Sequence, residues 1–190
     1  MNHIIIQSGT NPNTPWASDF IALGNAWENY AMANNLKISG LIHPYGISCN
    51  LTGTINDFKT VEISITKKME NVTTGVIPQT SPYSSIIKMK ARTMGLRTGD
   101  RLEIRKNSFT NRLLGQLNGL AVIKKTEELI IYSNRTKRDA KPFFDDLEAL
   151  SDLDWLKVKN GEVMVRALKI PSETKQVESW FQTLNKIVFW

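Results

Sequence analysis

The stretch WLKVKNGEVMVRAL, Trp155 to Leu168, decides how this chain folds. Asn160-Gly161 is a pair suited to the two positive φ angles of a type I′ turn, the two-residue connection whose twist matches that of paired strands. A loop of that length sets Val158 opposite Val163 and Leu156 opposite Val165. All four apolar side chains then fall on one side of the sheet, and a slip by one residue would turn every one of them to the other side. The same register sets Trp155 opposite Arg166, where a cation–π contact would cover the second face.

Working outward, similar alternation recurs along the chain. Ile47, Cys49, Leu51 and Ile55 share one parity, and Val61, Ile63 and Ile65 another, with Asn56-Asp57 between them as turn residues, so a second hairpin is predicted. Further strands are expected near Ser85–Ala91, Arg101–Lys106, Ala121–Lys124 and Leu129–Ser133. Residues 69–83, with Pro78, Pro82 and several Thr and Ser, read as a joining loop, and Asn111–Leu117 as a short helix or turn. Three longer helices complete the pattern. Ser18 or Asp19 caps the first, which runs to about Asn34 with Phe20, Leu23, Trp27, Tyr30 and Ala31 on its apolar face. Asp139 caps a middle helix that turns Phe144, Leu147 and Leu150 inward. The last starts near Ser172 and carries Val177, Trp180, Phe181, Leu184, Ile187 and Val188 as a wide apolar stripe. The expected class is therefore α+β: an antiparallel sheet of about 6–8 strands with helices at the N-terminus, middle and C-terminus. Residues 1–16 read as an N-terminal extension and 17–190 as a single α+β domain, two lobes meeting near 107–120 being the alternative.

Composition bounds the function. The chain has 190 residues, 41% of them hydrophobic, so it can build a substantial core. No apolar stretch approaches the roughly 20 residues that span a bilayer, and Ile4–Ile6 lacks the flanks of a secretory signal. Cys49 is the single cysteine, which excludes an internal disulfide and fits a reducing, cytoplasmic setting. Charge is uneven: residues 59–139 hold 16 Lys and Arg against 7 Asp and Glu, a net of +9, whereas residues 1–58 and 140–190 come to −2 and −1. A field of one sign concentrates polyanions, whether nucleic acid or an anionic membrane surface.

From Leu129 onward, Ile131 and Ser133, Ala140 to Leu150, Leu153, Val158, Gly161, Val163 and Val165 resemble a bacterial domain family of unknown function. Upstream, Trp27 and the strand Leu51-Thr52-Gly53-Thr54 are similar to the same pattern. Members of that family usually follow transmembrane helices, and the resemblance implies no catalytic residues. A shorter likeness runs from Met94 to Ile104, where Gly99-Asp100 resembles the Leu-x-x-Gly-Asp turn of small swapped-hairpin transcription factors.

Candidate site residues come from the basic segment. Lys88, Lys90 and Arg92 share one parity of their strand. Arg97, Arg101, Arg105 and Arg112 follow, with Glu103 on the same face as Arg101 and Arg105, and Arg135, Lys137 and Arg138 add a loop cluster. Together these would form a polyanion-binding platform on which Tyr83 or Phe109 stacks bases. The competing reading is a solvated sheet face whose lysines discourage aggregation. His3, His43 and Cys49 are the one conceivable nucleophile or metal set, but zinc sites show ligands paired at short spacing and these do not. The acidic run Asp145, Asp146, Glu148, Asp152 and Asp154 lacks the spacing of a calcium loop. No phosphate loop, nucleophile elbow or His-Glu-x-x-His is present, so the sequence implies no cofactor, no metal and no catalytic set. Trp180, Phe181, Phe189 and Trp190 offer either core packing or a contact with a second copy. The expected function is a non-catalytic interaction or scaffolding module of the bacterial cytoplasm, with nucleic-acid binding through 88–112 as the alternative.

Overall fold

The computed structural model describes residues 3–55, 58–69, 83–93, 99–111, 113, 119–134 and 153–188. Their strands are β1 (Ile4–Ile6), β2 (Lys37–His43), β3 (Gly46–Ile55), β4 (Phe58–Met69), β5 (Tyr83–Thr93), β6 (Arg101–Lys106), β7 (Ala121–Lys125), β8 (Leu129–Ser133), β9 (Leu153–Lys159) and β10 (Glu162–Ala167). Among the described residues the long helices are α1 (Pro15–Ala33) and α2 (Thr174–Val188), and a helical turn stands at 109–111. All ten strands belong to one sheet in the order β1-β2-β3-β4-β5-β10-β9-β6-β8-β7. The α+β class holds, but the sheet is larger than the 6–8 strands expected and is mixed, because β1 pairs with β2 in parallel. Ile4–Ile6 is thus an edge strand, where the sequence reads as an extension. The passage from β1 to β2, residues 7–36 with α1 inside it, has the length and the helix that a parallel crossover needs.

The β9–β10 hairpin has the expected register, with Val158 opposite Val163 and Leu156 opposite Val165. Asn160 and Gly161 adopt φ of 53° and 74°, the positive pair that a type I′ turn requires. This hairpin lies in the middle of the sheet, β10 against β5 and β9 against β6. It joins the two halves of the domain. Thr93 of β5 clasps the turn, its backbone N–H and its hydroxyl both donating to the Gly161 carbonyl.

One face of the sheet carries the main core. Ile38, Ile47, Leu51, Ile63, Ile87, Val163, Leu156 and Ile104 all point there and are buried. α1 packs on that face through Phe20, Leu23, Trp27, Tyr30 and Ala31, the stripe that its spacing predicts. It starts earlier than expected, at Pro15 after Thr14, because proline is well placed in a first turn whose N–H groups have no helical partner. Asn34 closes it and Asn35 turns the chain at φ 55°. Trp27 is the hub between the helices: its ring meets Tyr30, Trp180 and Phe181 edge-on, and its Nε1–H donates to the Pro171 carbonyl at 2.9 Å. Trp180 and Phe181 are therefore engaged within the chain. Phe189 and Trp190, the middle helix after Asp139 and the Asn56-Asp57 turn lie outside the described residues.

Candidate functional site

Opposite the helices, the other face of the sheet presents its alternate residues outward, and strand pairing fixes their rows. One row reads Ser64, Lys88, Arg166, Trp155, Arg105; the next Glu62, Lys90, Met164, Lys157, Glu103; the third Thr60, Arg92, Glu162, Lys159, Arg101. Lys88, Lys90 and Arg92 do share a face, and Arg101 and Arg105 stand on the same one. They are not neighbours, however, since the β9–β10 hairpin lies between the two strands. That hairpin adds Lys157, Lys159 and Arg166 from the part of the sequence with a net charge of −1.

Pairing decides which of these charges are available. Arg105 bonds Glu103 through both Nε and Nη2, at 3.0 and 2.6 Å, and the two side chains are only 12% and 15% exposed. That pair is self-contained. Arg92 lies 3.6 Å from Glu162 but is 70% exposed, so it remains accessible. Asp154 sits 3.1 Å from Arg166 at a β-bulge, although the Arg166 Nε–H is not aligned for a hydrogen bond. Among the described residues Lys88, Lys90, Lys159 and Arg101 make no ion pair, and Glu62 is the one carboxylate of the three rows left unpaired. The face therefore keeps an excess of positive charge. Trp155 does stand opposite Arg166, but the cation over its ring is the Lys157 ammonium, 5.6 Å from the centroid, because Arg166 turns to Asp154.

A groove of about 460 Å³ runs over this face between β3 and β9. Its depth comes from residue size: Asn50, Thr52 and Ser64 are short, whereas Lys88, Lys90, Trp155 and Met164 rise beside them. The lysine stems add apolar wall and keep their ammonium groups in water. A second depression of about 730 Å³, lined by Lys59, Arg92, Lys159 and Glu162, also reaches Met164, so the two share a wall and prolong one track. At the far end the face is closed over. Ile130, Tyr132 and Leu120 form a small second core there, with the Tyr132 hydroxyl donating to the Asn111 carbonyl at 2.6 Å. Phe109, two residues before Asn111, is 81% exposed.

The remaining candidates separate. Cys49 faces the core at 1% exposure, and burial pushes its thiol up to about 12, so it is no nucleophile at neutral pH. His43 has the outward parity of β2, accepting at Nδ1 from the Tyr45 N–H, and His3 is occupied with Glu28 at 2.9 Å. Among the described residues no three His, Cys, Asp or Glu side chains gather as a metal site, and no helix is long and apolar enough to cross a membrane. Arg97, Arg112, Arg135, Lys137, Arg138 and the Tyr83 side chain lie outside the described residues. The sequence reading did not select Lys157, Lys159, Arg166, Met164 or Trp155 as site residues; the outward parity of the Asn-Gly hairpin was the signal for all five.

No protein-family model matches the chain, and no curated protein matches it. Among solved structures it is similar to the crystal structure of the mycobacterial trehalose monomycolate transport factor A, TtfA. The identity is 11%, the TM-score 0.48, and the match covers 87% of this chain and 92% of that one.

Proposed function

We propose that the protein is a non-catalytic binding module whose working surface is the face of the sheet opposite α1 and α2 and whose partner is a polyanion. One observation carries the reading: Lys88, Lys90, Lys159 and Arg101 project from a grooved face on which all but one of the nearby carboxylates are already paired. Unpaired surface cations on a folded domain are commonplace. Here four of them stand on one face of a single sheet, Lys88 and Lys90 on β5, Lys159 on β9 and Arg101 on β6, with both β5 lysines lining the groove, which favours a ligand that presents several negative charges in sequence. With Cys49 as its single cysteine the sequence given forms no internal disulfide, which supports a reducing, cytoplasmic setting.

The test is a titration with fluorescently labelled inorganic polyphosphate at two salt concentrations, on the native protein and on Lys88→Ala/Lys90→Ala. Binding should weaken as salt rises, and the logarithmic salt slope should fall by about 1 for each lysine removed. Absence of binding, or a slope the double variant leaves unchanged, would refute the proposal.

A further inference from the structure

Resting on that reading, we infer that the polyanion is a single-stranded nucleic acid, held by its phosphates on the lysines of the open face and by one base on Trp155. The groove pairs two chemistries that a simple counter-ion surface would not combine. Its walls include Trp155 and Met164, an aromatic plane and a thioether, and its charged lining is Lys88 and Lys90 against the single carboxylate Glu62. Trp155 is only half-buried although it sits on a central strand, and the Lys157 ammonium lies over its ring, 5.6 Å from the centroid, on a flexible stem that a stacking base would displace towards a phosphate.

A ligand that satisfies both chemistries must alternate negative charge with flat apolar groups. Single-stranded DNA or RNA does so, because its bases are free to leave the backbone and stack on aromatic side chains. A duplex does not, since its bases are already stacked and paired inside. Among the described residues the track is also an open trough that continues past Met164 to Arg92 and Lys159, a shape that suits an extended chain better than a lipid. Successive outward residues on one strand are two apart, about 6.6 Å along it, so Lys88, Lys90 and Arg92 form a ladder of cations along the groove wall. An extended chain of phosphates suits such a ladder better than one compact headgroup does.

The experiment compares a labelled 15-mer of deoxythymidine with a 15-mer of the same backbone lacking bases, together with phosphatidylglycerol vesicles, on the native protein and on Trp155→Leu and Trp155→Phe. Leu keeps apolar bulk in the site, and Phe keeps a ring. We expect the thymidine strand to bind about 5- to 150-fold tighter than the abasic one, Trp155→Leu to abolish that difference, and Trp155→Phe to restore most of it. Equal binding of the two strands, or a preference that Trp155→Leu leaves intact, overturns the stacking assignment while polyphosphate binding would still stand. Binding to vesicles without binding to the thymidine strand overturns it in favour of a membrane surface.

Discussion

Replacing Gly161 by Ala isolates a single physical term. Gly161 sits at φ 74° and nothing lies within 4 Å of the position its Cβ would take, so the substitution introduces no clash and removes no contact. What changes is backbone energy. An L-residue in the left-handed region costs roughly 1–2 kcal/mol. Against that, Ala restricts the unfolded chain and returns about 0.4–1 kcal/mol. The turn has little room to escape by flipping its peptide, since the Gly161 carbonyl holds two hydrogen bonds from Thr93. The net expectation is a loss of about 1 kcal/mol. With a urea m-value of about 2–3 kcal/mol/M for a chain of this size, the unfolding midpoint should fall by about 0.3–0.5 M at constant m. Asn160→Gly, at the companion position, should move it far less, because either residue tolerates φ 53°. A midpoint that Gly161→Ala leaves unmoved would show that the turn is not fixed in the left-handed conformation, and with it the register of the central hairpin would lose its stated cause.

Further outcomes follow from the core. Gly40→Ala would bring a Cβ to 2.5 Å from that of Cys49 and 2.8 Å from the Ser48 carbonyl oxygen, so overpacking should cost about 1–3 kcal/mol in the same urea assay. Trp27→Phe leaves the Pro171 carbonyl without its indole donor and should cost on the order of 1 kcal/mol from that bond alone, visible as a lower melting temperature. Cys49 should resist thiol reagents at pH 8 in the native protein and react fully in urea. Its thiol is raised from 9.0 to about 12 in the fold, so its contribution to stability is complete below about pH 9 and is lost as pH rises towards 12. Tyr30, raised by burial and then by Glu178, acts in the same direction, and Cys49→Ala should therefore make the alkaline loss of stability shallower without removing it.

Legibility in the sequence followed the range of the cause. The Asn160-Gly161 hairpin, the apolar face of α1 and the Asn34-Asn35 stop are local effects, written within a few residues of one another. β2 escaped notice because its pattern is broken twice: Gly40 takes an inward position to let Cys49 approach, while Leu41 points outward at 39% exposure. β1 is three residues long and pairs in parallel, so neither a turn nor an alternation announces it. On the open face, the shared parity of Lys88, Lys90 and Arg92 is likewise local. Strand order is not, and the insertion of β10 and β9 between β5 and β6 is what brings Lys157, Lys159 and Arg166 to the same surface. The opposition of Glu103 to Arg105 was legible too, but not how far the pair would be buried.

The most direct test of the open face is to observe it while ligand binds. Methyl-labelled Met164 and the Trp155 indole N–H, each assigned by substitution, would be followed by NMR as polyphosphate and then the thymidine 15-mer are added. Progressive, salt-reversible shifts at Met164 with both ligands, joined by Trp155 with the thymidine strand, are predicted, with Trp27 in the helix-covered core unmoved. Shifts confined to residues on α1, α2 or the β1 edge would contradict the account.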